Sequence, residues 1–257
     1  MNFKLFRLVT GCIAILSLFI GAASAQIYTE STTSAGGQNR SSQSYYMPGM
    51  FKFVQDDGST VIMRFDREYW IGADGRKKEF WQMTFAELET KMKNMGAQMD
   101  AAMQQMQKKL ESLPPEQRKK IEQAMGSQLG AKSSGGPIEV KKGGASRTIA
   151  GLSCTRFTVT ESGKEVLLLW TARDVPEFAA MRKDYERFSR SMAAMRPASG
   201  ADTQTRAWTE AMKVIDGFPM ETEAAGSKTT VTKLERKPTP ASEFEAPAGY
   251  KKVPPPF

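Results

Sequence analysis

The sequence predicts an α+β fold, an antiparallel sheet interrupted twice by helices. Two observations carry that reading. Short runs of alternating apolar residues, bounded by Gly-containing turns, recur near the start, middle and end of the chain. Between them the hydrophobic period changes from two to about 3.6, first at Thr84 and again after Pro176. There is no internal repeat.

The chain opens with a leader. Lys4 and Arg7 give a positive start, Val9 to Ile20 is almost wholly apolar, and Ala23-Ser24-Ala25 supplies the small residues of a cleavage site. Met1 to Ala25 therefore reads as a cleavable signal peptide, leaving Gln26 as the mature N-terminus and placing the protein in the periplasm. Val9-Thr10-Gly11-Cys12 imitates a lipidation box, but most of the apolar run follows Cys12 where such a box needs it before. No later stretch approaches the ~20 apolar residues of a membrane span, so no transmembrane segment is expected after leader removal. The formal charge of +8 falls to +6 when Lys4 and Arg7 leave. Positive residues are scattered among acids, which is a solvated surface and not a nucleic-acid site. Of two cysteines the mature chain keeps Cys154 alone, which excludes an intramolecular disulfide.

Residues 26–257 read as one domain with helical insertions at about 84–127 and 174–216. Gln26 to Ser44 is polar and promises one strand at most, around Ile27 to Thr32. Val61, Met63 and Phe65 alternate with Ile62 and Arg64. Tyr69-Trp70-Ile71 leads to a turn at Ala73-Asp74-Gly75-Arg76, and Phe80-Trp81-Gln82-Met83 returns.

Thr84 and Glu87 form a capping box, with Met83 stapling to Leu88. Phe85, Leu88, Met92, Met95, Met99, Met103, Met106 and Leu110 then fall on one helical face. Leu113-Pro114-Pro115 ends this helix, and a shorter one carries Ile121 and Met125. Gly126 to Ser146 reads as a loop with a short strand at Ile138 to Val140. From Arg147 a second strand set follows: Cys154 to Thr160, a turn at Glu161-Ser162-Gly163, then Val166 to Trp170. That last strand is apolar on both faces, so cover is expected on both.

Asp174, Pro176 and Glu177 open a helix with Phe178, Met181, Tyr185, Phe188, Met192 and Met195 on one side, stopped at Pro197. A third helix carries Trp208, Met212 and Ile215. Phe218 to Glu223 and Thr229 to Leu234 form a hairpin turning at Ala225-Gly226. The Pro-rich tail is expected to wrap without regular structure.

Three stretches carry a resemblance. Met63-Arg64-Phe65-Asp66 with Trp70, the segment Ile149 to Phe157 followed by Leu169 to Pro176, and Gly217 to Glu221 with Phe244 to Tyr250 resemble an exported bacterial family, domain of unknown function family 4412. That family is related in fold to the periplasmic lipoprotein carrier and its outer-membrane receptor. The resemblance implies a strongly curved antiparallel half-barrel whose concave face is covered by helices. It brings no catalytic residues, and the Met-rich helix looks like an enlarged insertion.

The absence of His removes Ser-His-Asp and Cys-His nucleophile systems and nearly all zinc sites. No phosphate-binding or nucleophile-elbow motif appears. Catalytic residues and cofactors are therefore expected to be none. Cys154 reads as a buried core thiol, the usual state of free Cys, with Arg156 as the neighbour that would matter were it reactive. The Met stripes admit three readings: plain core, an adaptable lid over a guest, or a soft-metal site through Met95, Met99 and Met103. The expectation is a non-enzymatic periplasmic carrier for an apolar or lipid-like ligand. Its lid and cavity candidates are Phe85, Leu88, Met92, Met95, Met99, Met103 and Met106, with Trp70, Trp81, Trp170, Phe178 and Met181. A Cu(I)-sequestering protein and a ligand-free envelope protein are the alternatives.

Overall fold

Among the described residues twelve strands form one unclosed, curved sheet. The structure is a computed structural model and describes residues 26–111, 136–193 and 203–256. The leader with its cleavage site, the second helix of the first insertion and the Pro197 stop lie outside those residues.

The strands are β1 (Ile27–Ala35), β2 (Gln38–Met47), β3 (Met50–Gln55), β4 (Thr60–Arg64), β5 (Tyr69–Asp74) and β6 (Glu79–Thr84), then β7 (Ile138–Ile149), β8 (Leu152–Glu161), β9 (Lys164–Ala172), β10 (Phe218–Ala224), β11 (Ser227–Glu235) and β12 (Lys251–Lys252). Their order across the sheet is β12-β6-β5-β4-β3-β2-β1-β11-β10-β9-β8-β7. Each neighbouring pair is antiparallel except β12 with β6. The expected α+β half-barrel is what the chain forms.

Two parts of the sheet are longer than the sequence suggested. Gln26 to Ser44 is not one short strand but most of a long hairpin, turning at Gly36-Gly37, where φ is +55° and +77°. Such two-residue turns match the twist of the strands they join. The hairpin was hidden because Ser and Thr occupy both faces of it, so no apolar alternation shows. Likewise β7 runs through Lys141 to Ser146, with a bulge between Lys142 and Ser146 absorbing Gly143-Gly144. The tail is partly regular: a single 3-10 turn at Ala241–Phe244 and then β12.

Three helices are described: α1 (Phe85–Glu111), α2 (Phe178–Ala193) and α3 (Thr203–Val214). The Thr84 capping box forms reciprocally. The Thr84 N–H donates to Glu87 Oε2 at 2.7 Å, and the Glu87 N–H donates to Thr84 Oγ1 at 3.1 Å. Met83 and Leu88 pack together as the staple predicts. The start of α2 differs. Glu177 does not cap it but receives Arg236 through Nε at 2.6 Å. The turn is closed by backbone, with the Phe178 N–H donating to the Val175 carbonyl.

The main core lies between α3 and strands β8 to β10, where Phe157, Val159, Leu167, Leu169, Ala207, Ala211 and Ile215 are buried together. Ala207 and Ala211 let the α3 backbone come down close to the sheet. Cys154 belongs to this cluster and is fully buried. Desolvation raises its thiol pKa, so the inert thiolate-poor state is favoured. The second face of β9 is covered differently than expected. Among the described residues no helix lies there; the Arg147 guanidinium sits 4.2 Å from the Trp170 ring centroid and shields it.

A smaller core on the opposite face of the sheet holds Ile62, Tyr69, Ile71 and Phe244. Arg64, fully buried, fastens the tail there. It donates to both carboxylate oxygens of Asp66 at 2.8 Å, to Glu245, and to the Phe244 carbonyl.

Candidate functional site

Beside the closely packed half of the concave face, the other half is roofed less closely. Between α2, α3 and strands β1 to β4, β10 and β11 lies a cavity of about 520 Å³, within the range of small-molecule sites.

Strand alternation decides its floor, because side chains two apart share a face and cross-strand partners stand side by side. The register arranges them in rows. Ile27, Tyr46, Phe51 and Met63 are successive partners across β1 to β4. The next row is Thr29, Ser44 and Phe53, and beyond it Ser31 pairs with Ser42 and Val231. The last row is Thr222, Thr229 and Thr33. All of these line the cavity, together with Phe65, Phe178, Met181, Tyr185, Trp208, Met212, Phe218 and Pro219. No charged side chain is among these lining residues.

The floor therefore grades from hydrocarbon to hydroxyl. Ile27 and Tyr46 are 2% exposed and Thr29 5%, whereas Ser31, Thr33, Ser42 and Ser44 are half-buried. At the apolar end α2 is pinned by Asp184, whose Oδ2 accepts from the Tyr46 hydroxyl at 3.1 Å and from the Gly49 N–H at 2.7 Å. Burial, and then the adjacent Asp184 charge, push the Tyr46 phenol far above its ordinary value, so it stays a donor. At the hydroxyl end Thr33 and Thr229 Oγ1 atoms are 2.9 Å apart and share one hydrogen bond.

The expected site residues do not all fall together. Phe178 and Met181 line the cavity. Trp70, Trp81 and Leu88 pack with Met83 in a neighbouring cluster on the same side of the sheet, with the two indole centroids 5.3 Å apart. Trp81 lies across Gly72, where a Cβ would come within 2.3 Å of its ring. Phe85 reaches this side too, its ring 6.3 Å from that of the cavity residue Phe65. Trp170 lies elsewhere, under Arg147. Met95 and Met106 are exposed, at 48% and 42%. The side chains of Met92, Met99 and Met103 lie outside the described residues. Among the described residues the cavity is built by the floor residues, the hydroxyl rows and the side chains of α2 and α3, and no described side chain of α1 lines it. Among the described residues no group of His, Cys, Asp or Glu is placed to hold a metal ion.

The floor residues that sequence reasoning missed are chiefly Ser and Thr of β1 and β2. The alternation of Phe51 with Phe53 was the available signal.

The chain belongs to the family described as a domain of unknown function, DUF4412, whose model matches residues 74–250. The family resemblance read from the sequence is thereby borne out. No curated protein matches. Among solved structures the chain is similar to an uncharacterized conserved protein from Thermus thermophilus, at 5% identity and TM-score 0.45, covering 90% of this chain and 91% of that one. It is also similar to a MucA/MucB complex from Pseudomonas aeruginosa, at 13% identity and TM-score 0.42, covering 89% of this chain and 58% of that one. A DUF1329 family protein from Desulfovibrio piger matches at 13% identity and TM-score 0.25, covering 86% of this chain and 90% of that one. At these scores none of the three carries an argument about function.

Proposed function

We propose that this member of the DUF4412 family is a non-enzymatic binding protein of the bacterial periplasm that holds an apolar or amphipathic, lipid-like ligand. The observation that supports the reading is the cavity of about 520 Å³, which is lined by aromatic, aliphatic and hydroxyl side chains without a charge. A domain that leaves Phe51, Phe53 and Met63 half-buried forgoes part of the stabilisation of burying them, about 1.5–3 kcal/mol for each such side chain when burial is complete. A guest that covers them recovers it.

Export rests on the leader, with Met1 to Ala25 removed and the mature chain beginning at Gln26 without lipid. Intact mass and N-terminal sequencing check this, and a diacylated chain starting at Cys12 overturns it. The ligand is tested by purifying the protein from its own periplasm without detergent and recording native mass spectra. The expected result is an added mass that organic extraction releases as an amphiphile. A bare polypeptide mass, together with no uptake of a fluorescent fatty acid by the purified protein, refutes the binding reading.

A further inference from the structure

We propose that the cavity takes a single-chain amphiphile in one orientation, hydrocarbon end against Met63, Phe51 and Ile27, with a carboxylate head at the hydroxyl end beside Arg40. This rests on the binding reading above and specifies its ligand class.

The grading of the floor fixes the direction. Along β2 the residues facing the cavity are Tyr46, Ser44 and Ser42, and the next residue on that face is Arg40. Arg40 is the cross-strand partner of Thr33, which lines the cavity, so it leaves the sheet on the same side. Burial falls along this line from Tyr46, 2% exposed, through half-buried Ser44 and Ser42 to exposed Arg40. A guest with one hydrocarbon and one oxygen-bearing end meets matching surface in one sense only. Reversed, it would place its head on Phe51 and Met63, where the Tyr46 hydroxyl already serves Asp184 and the Trp70 indole N–H beside Met63 is a single neutral donor, too few for a carboxylate, whose burial without full pairing costs several kcal/mol.

The donors at the outer end suit a carboxylate. Thr33, Thr229 and Ser42 offer hydroxyls, and Arg40 adds the positive charge. Arg40 acts electrostatically on Asp57. Its carboxyl is held below the usual range chiefly by hydrogen bonds from Ser59, and then by Arg76 and Arg40. Asp57 has Arg76 at 3.8 Å as a second cation. An arriving carboxylate therefore does not leave Asp57 without a partner.

The experiment uses the mature protein with its methionine methyls labelled for NMR, and two stearic acids, one spin-labelled at the methyl end and one beside the carboxylate. The methyl-end label should broaden Met63, and the carboxylate-side label should leave Met63 sharp. Displacement of bound N-phenylnaphthylamine by dodecanoate should weaken about threefold to fivefold in Arg40→Glu, the size of an exposed charge pair. Displacement by monolauroylglycerol, which has the same chain and no charge, should change less than about twofold by the same rule. Broadening of Met63 by the carboxylate-side label, or equal loss for both amphiphiles in Arg40→Glu, overturns the orientation while the cavity stays a lipid site. Absence of broadening of Met63 and Met212 by either label, with no dye binding, overturns the binding reading and this inference with it.

Discussion

The two halves of the concave face are built on the same sheet, yet one is sealed and the other open. Over β8 to β10, α3 presents Ala207 and Ala211, both fully buried, and its backbone comes down onto Phe157, Val159 and Leu169. Over β1 to β4 the helices present Phe178, Met181, Tyr185 and Trp208, long side chains that hold the backbone away and leave about 520 Å³ between. The difference lies in side-chain size on the helices and in the Ser and Thr content of the floor. Small residues above aliphatic ones make a core, and large residues above graded hydroxyls make a cavity.

That comparison is sharpest where one substitution tests each half. Leu169→Ala in the sealed half should lower unfolding free energy by about 2–5 kcal/mol, read as a large fall in Tm. Ala211→Leu should cost about 1–3 kcal/mol by overpacking and would drive α3 from the sheet. Phe53→Ser in the open half should cost less than either in thermal stability, because its neighbours already face space, while removing amphiphile binding. Equal thermal losses for Leu169→Ala and Phe53→Ser would mean that both halves are core.

A charge buried on the opposite face gives a pH test of the same frame. Burial works against ionised Glu221, but hydrogen bonds from Arg147, Lys228 and Thr230 outweigh it and hold the carboxyl below its usual range. Its folded value is thus below its unfolded one. The stability it contributes is fully present above the ordinary glutamate range near 4.5 and is lost as pH falls through the lowered folded value. Acid unfolding of Glu221→Gln should show a shallower dependence below about pH 4.5 than the parent protein. An unchanged profile would show that the ion pairs of β10 do not set acid stability.

The smallest effects belong to α1. Thr84→Ala should cost about 1 kcal/mol, seen as loss of helix signal with strand signal intact. Met95→Gln and Met106→Gln should each change stability by less than about 0.5 kcal/mol, because both side chains are exposed. A large loss from either would return the Met stripe to the core.

The sequence made the local punctuation legible. The capping box at Thr84, the turns at Ala225-Gly226 and Ser162-Gly163, and the two-sided character of β9 all follow from residue types that have few alternatives. It concealed β2, the end of β1 and the middle of β7, since strand reading relies on apolar alternation and these stretches carry Ser, Thr, Lys and Gly instead. Of the hydroxyls that erase the alternation in β1 and β2, Thr29, Ser31, Thr33, Ser42 and Ser44 form the cavity floor. The Met stripe of α1 has the right period, but among its described side chains only Phe85 and Leu88 at the start are buried, where the Thr84 cap sets the helix against β6. Periodicity reports that a face is apolar and not what it meets.

The claim at the centre is that the open half is a binding cavity and not an imperfect core. Ser44→Trp places an indole in the middle of the floor, between Thr29 and Phe53. Titration of a fluorescent fatty acid into the parent protein and into Ser44→Trp, with Tm recorded for both, tests it most directly. The expected result is saturable binding by the parent, and loss of at least about tenfold in affinity in Ser44→Trp, equivalent to about 1.4 kcal/mol, at equal or higher Tm. Undiminished binding by a folded Ser44→Trp, or none by the parent, would contradict it.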